Sequence, residues 1–180
     1  SRAGGSTLRS AEETLTIHSQ SGHDLVGSDR GDWLFGSTGS DRILGGLGDD
    51  VIRGGQGNDI LSGGAGSDLF VWGQGDEGTA TQPAIDTVTD FHPEEGDKID
   101  LADLLKGVTD NSVDGLLGHL SASVTTGSAG LSDVNLSVSP AGDGQVTQQI
   151  TLKGVDLSGS SSHDILQSML DQHSLIIQHP

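Results

Sequence analysis

Apolar and polar positions repeat every nine residues between residues 27 and 71. Written in nines, this stretch is GSDRGDWLF, GSTGSDRIL, GGLGDDVIR, GGQGNDILS and GGAGSDLFV. Glycine stands at position one, aspartate at position six, and a bulky apolar residue at position eight. The apolar residues are Leu34, Ile43, Ile52, Leu61 and Phe70. Because side chains alternate faces along a strand, the three residues after each aspartate predict a short strand with only position eight inward.

The six Gly-rich residues before each strand must reverse the chain tightly, and glycine tolerates the positive φ that such turns need. Two nonapeptides then complete one coil of eighteen residues. The coils stack Asp32, Asp50 and Asp68 on one edge and Asp41 and Asp59 on the other. Stacked like charges are costly unless a cation lies between them. Turn carbonyls and carboxylates form an all-oxygen cage, which suits Ca²⁺ better than Mg²⁺.

The outward positions seven and nine give the two faces of the coil different characters. One face carries Trp33, Phe35, Val51, Arg53, Leu69 and Val71, and the other carries Arg42, Leu44, Ile60 and Ser62. The first face is too apolar to remain in water. We expect the C-terminal part of the chain to pack on it; the alternative is a partner-binding face.

The flanking sequence predicts a smaller β-rich module after the repeats, which end near Gly75. Alternating residues predict strands at 85–90, 98–101, 134–138 and 146–152, the last two joined as a hairpin by the turn at 140–144. We expect a helical turn at 102–105 and a short helical face formed by Leu116, Leu117 and Leu120. Ser161-x-x-Asp164 signals the start of a helix, and a final strand is expected at 175–177. A strand at 14–17 leads into the repeats, and residues 1–13 are interpreted as a linker or the edge of an expressed fragment.

Composition and charge exclude several classes of function. The chain has 180 residues, with 8 Lys and Arg against 26 Asp and Glu, for a formal net charge of -18. This charge argues against nucleic acid and anionic membranes as partners. Cysteine is absent, so no disulfide or zinc–thiolate scaffold is available, and no apolar stretch approaches the roughly 20 residues of a membrane span. Acidic chains with few aromatics are typically disordered. Here a bound metal would supply the missing compensation, so we expect the metal-free chain to be largely unfolded or molten.

No catalytic motif is present. The sequence contains neither a G-x-S-x-G elbow nor an H-E-x-x-H helix. Its seven histidines are scattered. We therefore predict that the chain is not an enzyme, although a catalytic domain could lie elsewhere in the same protein.

The nonapeptides resemble the RTX (repeats-in-toxin) calcium-binding β-roll. The later stretches TVTDFHPEEGDKIDLADLL, VNLSVSPAGDGQVTQQITLKGVDL and ILQSMLDQHSLII resemble the C-terminal target region of type I secreted proteins, as at the end of giant RTX adhesins of Gram-negative bacteria. The resemblance implies a mainly all-β fold: a right-handed parallel β-roll loaded with several Ca²⁺ ions, then a small β-rich capping module with short helices. Residues 14–75 would form the roll, and 76–180 the capping module with the secretion signal.

The resemblance also implies a ligand rule. The lower turn gives carbonyls at positions two and four and its Asp; the turn eighteen residues later gives carbonyls at positions one and three and its Asp. The implied sets are Ser37, Gly39, Asp41, Gly54, Gln56 and Asp59; Gly46, Gly48, Asp50, Gly63, Ala65 and Asp68; and Ser28, Arg30, Asp32, Gly45, Leu47 and Asp50. A further set joins Gly55, Gly57 and Asp59 to Glu77. The same spacing pairs His23 with Asp41; a register slip by one residue would substitute Asp24.

Aspartates after the repeats are candidate accessory ligands. They are Asp86, Asp90, Asp97, Asp100 and Asp103. Asp86 is the best of them, because it lies eighteen residues beyond Asp68. The alternative is that these residues form turns and caps, roles that aspartate also favours.

The function implied by the resemblance is calcium-dependent folding and type I secretion at the C-terminus of a bacterial surface adhesin that mediates biofilm formation or cell adhesion. The expected partners are an inner-membrane ABC transporter, an adaptor and an outer-membrane channel. The chain is expected to be secreted or held at the bacterial cell surface without inserting into a membrane. As an isolated domain it is expected to be monomeric. The expected secretion-signal residues are Ile165, Leu166, Met169, Leu170, Leu175, Ile176 and Ile177. The alternative is the C-terminal RTX domain of a secreted hydrolase.

Overall fold

Each nonapeptide forms one short strand of a parallel solenoid. The computed structural model describes residues 16–18, 24–126, 131–155 and 161–179, with only the backbone for 16–18. The solenoid strands are β1 (Thr16–His18), β2 (Asp24–Val26), β3 (Trp33–Phe35), β4 (Arg42–Leu44), β5 (Val51–Arg53), β6 (Ile60–Ser62) and β7 (Leu69–Val71). The predicted strand at 14–17 is seen as β1, displaced by one or two residues.

The strands alternate between two sheets, so two nonapeptides make one coil, as predicted. Within the odd-numbered sheet, Leu34 pairs with Ile52 and Ile52 with Phe70, all in parallel. The even-numbered strands pair likewise, with Ile43 next to Leu61. Each of these apolar residues is fully or almost fully buried. The prediction that position eight points inward is confirmed.

The remaining elements of the described residues form a β-rich module with two α-helices and a 3-10 helix. They are β8 (Ala84–Val88), a 3-10 helix (Pro93–Glu95), β9 (Lys98–Asp100), α1 (Val113–Leu116), β10 (Leu120–Thr126), β11 (Ser132–Val138), β12 (Gln148–Leu152), α2 (Ser162–Asp171) and β13 (Leu175–Ile176). The β11–β12 hairpin and the start of α2 are confirmed, since the Asp164 N–H donates to Ser161 Oγ. β10 was not predicted, and Leu120 begins this strand rather than closing a helical face.

The module continues both sheets of the solenoid. One sheet has the order β1-β3-β5-β7-β9-β13, and the other has β10-β11-β12-β8-β6-β4-β2. The apolar interior runs without interruption from the coils into the module, where Phe70 meets Phe91 edge-on with ring centroids 6.3 Å apart. Because the new strands pair side by side with the last coil, they close its open end and complete a mainly all-β solenoid fold.

The prediction that the module packs on the apolar outer face is wrong. β9 and β13 lie beyond β7 in the same sheet rather than across it. Trp33 keeps 50% of its surface exposed and contacts Phe35 edge-on. Backbone pairing at the end of a solenoid satisfies a whole row of hydrogen-bonding groups, which packing on a face would leave open. Among the described residues, no helix is long and apolar enough to cross a membrane.

Candidate metal centre

The aspartates of successive coils stand in two columns, which we call edge 1 (Asp32, Asp50, Asp68) and edge 2 (Asp41, Asp59). In each column, an aspartate N–H donates to the Oδ1 of the aspartate eighteen residues later. These distances are 2.8 Å for Asp32 to Asp50, 2.8 Å for Asp41 to Asp59 and 3.0 Å for Asp50 to Asp68. One carboxylate oxygen of each pair therefore fixes the register of the neighbouring coil.

The second carboxylate oxygen is left for another partner. Oδ2 of Asp50, Asp59 and Asp68 is buried and meets no hydrogen-bond donor among the described residues. An ionised carboxylate buried without a partner is strongly unfavourable. Three such oxygens at the same repeat position indicate a shared ligand that is positively charged.

The position-one glycines keep the space beside these oxygens open. A Cβ added at Gly45 would lie 2.5 Å from both Asp50 Oδ2 and Gly63 O, closer than real Cβ contacts come. The same construction at Gly54 and Gly63 would meet Asp59 Oδ2 and Asp68 Oδ2. These three glycines do not have positive φ, so space rather than backbone conformation requires them.

Burial makes ionisation of these carboxyl groups costly. Burial, with a smaller contribution from nearby aspartates, raises the pKa of Asp50 to about 7 and the pKa of Asp68 to about 8. It also raises the pKa of Asp59, next to Asp86 and Asp41. A bound cation would reverse this balance, because opposite charge favours the ionised form.

Serine changes the turns of the first two repeats. The Ser28 N–H and hydroxyl donate to Asp32 Oδ2 at 2.6 and 2.8 Å. Ser37 makes the same pair of contacts to Asp41 Oδ2, at 2.7 and 3.1 Å. The later turns have glycine at this position, with positive φ at Gly46, Gly55 and Gly64. The serine turns thus satisfy their own carboxylates, whereas the glycine turns leave Oδ2 available.

Several carbonyls of the predicted ligand sets lie between successive coils. The carbonyl of Ser28 lies under the next coil and accepts from the Leu47 N–H at 3.2 Å, and the Gly46 carbonyl accepts from the Ala65 N–H at 3.1 Å. The position-four carbonyl of Gly39 faces the α carbon of Gly57. The position-one carbonyls of the upper coils, Gly45, Gly54 and Gly63, face the lower position-one glycines. These backbone oxygens and the aspartate carboxylates therefore lie at the interfaces between successive coils.

Edge 1 ends on residues of the capping module. The Asp68 N–H donates to Asp97 Oδ1 at 2.8 Å, and the His92 N–H donates to Asp97 Oδ2 at 2.9 Å. Asp90 accepts from the Gly63 and Gly64 N–H groups at 2.9 and 2.8 Å. Asp97 continues the column although it lies 29 residues beyond Asp68.

Edge 2 ends on Asp86, and the prediction that Glu77 pairs with Asp59 is wrong. The Asp59 N–H donates to Asp86 Oδ1 at 2.7 Å, whereas Glu77 accepts from the N–H of Gly75. The loop between β7 and β8 makes the last coil nine residues longer than the regular coil, since Asp59 and Asp86 are 27 residues apart instead of 18. The eighteen-residue spacing therefore misassigned the residue that ends this column: Asp86 follows Asp59 rather than Asp68.

Both carboxylate oxygens of Asp86 accept hydrogen bonds from neutral donors. Its Oδ2 accepts from Trp72 Nε1 at 2.7 Å and from Gln148 Nε2 at 2.9 Å. All three residues are buried, and desolvation raises the pKa of Asp86 to about 6 despite these bonds. Sequence reasoning missed Trp72 and Gln148, because they come from two distant segments. Asp86 thus closes its column by hydrogen bonds instead of offering a ligand to a metal.

The other predicted aspartates take turn and ion-pair roles. Asp100 accepts from the Ala102 N–H at 3.0 Å and pairs with His179 at 2.7 Å. Asp103 lies 3.8 Å from Lys106. Asp24 is exposed in β2, and His23 lies outside the described residues. The contacts of Asp100 and Asp103 are those of turn and ion-pair residues.

Comparisons with known proteins agree with this geometry. The sequence profile of the RTX calcium-binding nonapeptide repeat matches residues 26–61 and 44–76. The solution structure of the AlgE6R3 subunit of the Azotobacter vinelandii mannuronan C5-epimerase has a TM-score of 0.57 at 27% identity, covering 79% of this chain and 76% of that one. The AlgE6R2 subunit of the same enzyme has a TM-score of 0.62 at 22% identity, covering 95% and 96%. No curated protein sequence matches the chain.

The chain therefore carries RTX repeats in a β-roll that binds several Ca²⁺ ions. The residues present fit this ion: every candidate ligand is an oxygen, the unpartnered carboxylate oxygens are buried, and glycine keeps the space beside them open. Hard cations with flexible coordination take such oxygen sets.

Proposed function

We propose that this chain is a calcium-dependent folding and type I secretion module of a bacterial surface adhesin. The observation that carries the proposal is the set of buried, unpartnered Oδ2 atoms of Asp50, Asp59 and Asp68. They make the folded state depend on a cation that is scarce in the cytosol and abundant outside the cell. Without the cation, the chain stays loose enough to thread a channel.

The proposed ligands are the three main sets between successive coils that the sequence pattern predicts. The regular set on edge 1 combines Asp50 and Asp68 with carbonyls of the two intervening glycine turns. The set at Asp32 and the set at Asp41 each have one carboxylate already bonded to serine. We therefore expect the regular set to bind Ca²⁺ most tightly, and the two serine-containing sets to bind more weakly.

Calcium binding at the affinity typical of extracellular modules is strong enough to decide folding. Extracellular calcium modules bind with dissociation constants of roughly 10⁻⁴–10⁻³ M. At ten times the dissociation constant, each site stabilises the folded state by about 1.4 kcal/mol. Several sites together are then comparable with the total stability of a small domain, about 5–15 kcal/mol.

Export of the chain from a Gram-negative strain that produces a type I system tests the secretory role. We expect efficient export when the medium contains calcium, slower export with a calcium chelator in the medium, and none from a strain without the transporter. Export at the same rate without external calcium would contradict the coupling of folding to export. Transporter-independent appearance in the medium would contradict the secretory role itself.

A second candidate is the non-catalytic repeat module of a secreted enzyme. The observation that favours it is the similarity to repeat subunits of a mannuronan C5-epimerase. In this case, too, the chain would be a calcium-folded module without activity of its own. Adhesion of calcium-loaded chain to abiotic surfaces and cells would favour the adhesin; retention on a polysaccharide column would favour the enzyme module.

A further inference from the structure

The loop between β7 and β8 departs from the repeat rule and forms one wall of a groove. Its residues lie beside the turns 36–40 and 55–58, which belong to edge 2. Two open cavities of about 550 and 690 Å³ lie between the loop and these turns. Thr38 and Gln56 line both cavities, so the two adjoin. We call them together the loop groove; Phe35 lines its first cavity and Ile85 its second.

Contacts at both ends hold the loop in place. Asp76 is buried and accepts from Arg53 Nε at 2.7 Å and from Arg53 Nη2 at 3.0 Å. Further along the loop, the Gly78 and Ala84 N–H groups donate to the Thr147 carbonyl at 2.8 and 3.0 Å. Because the loop is tied both to a coil and to the capping module, the groove is formed before a ligand arrives, which lowers the ordering cost of binding.

The groove presents neutral polar side chains to solvent. The exposed hydroxyl and carboxamide side chains that line it include Thr38, Ser40, Gln56, Asn58, Gln74 and Gln82. Each of these groups both donates and accepts hydrogen bonds. A ligand rich in hydroxyl groups has the same dual character, so it matches this lining along its length.

The charges of the groove favour an uncharged ligand. Among the described residues that line it, Arg53 is the only basic one, and its guanidinium is paired with Asp76. The carboxylate of Glu77 accepts from the Gly75 N–H at 2.6 Å. The formal net charge of the chain is -18, which disfavours approach of a polyanion.

An aromatic pair lies at the first end of the groove. Phe35 lines the first cavity and meets Trp33 edge-on, with ring centroids 6.4 Å apart. Trp33 keeps 50% of its surface exposed. Aromatic rings offer large apolar surfaces, on which the C–H face of a sugar ring can pack while its hydroxyl groups bond to amides and water. Trp33 thus has a surface available for a ligand that extends past Phe35.

We propose that the loop groove is a binding site for a neutral oligosaccharide. The hydroxyl and carboxamide side chains bond the hydroxyl groups of the sugar, and Phe35 and Trp33 pack on the C–H faces of its rings. The site requires the folded coils, but it does not depend on the proposed role in export.

Nuclear magnetic resonance of the full chain in saturating calcium tests the site. The probes are neutral hexasaccharides of glucose, mannose, galactose and xylose, with hexagalacturonate as the acidic comparison. We expect at least one neutral probe to shift amide signals within 35–40, 55–58, 74–79 and 82–85. No shift there with any neutral probe, shifts confined to another surface, or equal affinity for hexagalacturonate would overturn the proposal.

Tryptophan emission gives a second readout with the same neutral probe. The chain has two tryptophans, and Trp72 is already buried whereas Trp33 is half exposed. Packing of a sugar ring on Trp33 should therefore shift the emission to shorter wavelength, and Trp33→Phe should abolish the shift. An unchanged emission at saturating probe would contradict the role of Trp33.

A double variant and a matched control assign the binding to side chains. Gln74→Ala with Gln82→Ala removes one exposed carboxamide from each cavity, and the dissociation constant should rise at least about tenfold, or about 1.4 kcal/mol. Gln167→Ala removes an exposed glutamine from α2 and should leave it unchanged. Unchanged affinity in the double variant, or equal weakening in the control, would overturn the proposal.

The double variant also separates this site from the choice between adhesin and enzyme module. Retention on a polysaccharide column supports the enzyme module only where the double variant is retained as well. Retention that the double variant loses belongs to the loop groove and supports the present proposal.

Discussion

The Asp68 N–H donates to the carboxylate of Asp97 at 2.8 Å, although 29 residues separate them. The contact repeats the geometry that joins regular coils eighteen residues apart. Asp97 belongs to a segment without the nonapeptide pattern, so the capping module supplies an aspartate where the next repeat would have done so. The coils and the module are thereby joined through Asp68, whose carboxylate has an oxygen that is buried without a hydrogen-bond partner.

Gly45→Ala tests whether the space beside Asp50 is required. The added methyl group would come within 2.5 Å of Asp50 Oδ2 and Gly63 O, so we expect the calcium midpoint to rise and the calcium-loaded form to lose about 1–3 kcal/mol, as for overpacked sites. Denaturant unfolding in saturating calcium measures this. Gly107→Ala is the control, since its nearest neighbour would be the Pro140 carbonyl at 3.6 Å. Equal effects of the two substitutions would contradict the claim that calcium binding requires the space beside Asp50.

Asp86 should behave as a structural residue. Asp86→Ala leaves the buried donors of Trp72 and Gln148 unpaired, which we expect to cost about 2–4 kcal/mol. Asp86→Asn keeps an acceptor and should cost less. Neither substitution should reduce the number of calcium ions bound per folded chain, counted by equilibrium dialysis. Loss of one calcium ion in the Asn variant would show that Asp86 is a ligand.

Stability of the metal-free fold should fall as pH rises. The folded-state pKa values of Asp50 and Asp68, about 7 and 8, lie above the ordinary value near 3.8. Their contribution is fully present below pH 4 and is lost as pH rises through 7 to 8. We expect chelator-treated chain to gain β-structure on acidification, monitored by circular dichroism.

Calcium affinity should show the opposite pH dependence to the stability of the metal-free fold, and should increase as pH rises. Its ligands must be ionised, so the calcium midpoint should rise as pH falls below 7. High potassium chloride screens general charge repulsion and should leave both trends in place. Chelator-treated chain with more structure at pH 8 than at pH 5 would contradict the burial of unpaired carboxyl groups.

Trp33 should contribute little to stability. Its side chain is half exposed and makes one edge-on aromatic contact, so we expect Trp33→Asp to cost about 1 kcal/mol. Phe70→Ala, at the buried position of the last repeat, should cost about 3–5 kcal/mol. Thermal unfolding in calcium compares them. A larger loss for Trp33→Asp would indicate that its face is covered.

The regular part of the fold followed from sequence because one local rule repeats. Glycine, aspartate and an apolar residue at fixed positions determine the strand, the turn and the coil, and this placed Leu34 through Phe70 and the two aspartate edges correctly. The end of the roll did not follow, because the last coil is longer. Its length depends on the loop between β7 and β8, and the partners of Asp86 and Asp68 come from distant segments whose meeting no local pattern records.

The outward apolar face misled for a related reason. The apolar residues Trp33, Phe35 and Leu69 indicated a covered surface. The module instead forms backbone hydrogen bonds with the edge strands β6 and β7, which continues both sheets. Backbone hydrogen bonding at an open sheet edge depends little on side chains, so the hydrophobic pattern of the sequence does not reveal it.

The most direct test of the account is a calcium titration of the chelator-treated chain followed by far-UV circular dichroism, with magnesium as the control. The account predicts a cooperative gain of β-structure at submillimolar to millimolar calcium and none with magnesium, because the oxygen cages between coils suit the larger, more flexible ion. A chain that is already folded in the chelator, or that folds equally with magnesium, would contradict the claim that calcium between the aspartate edges drives folding.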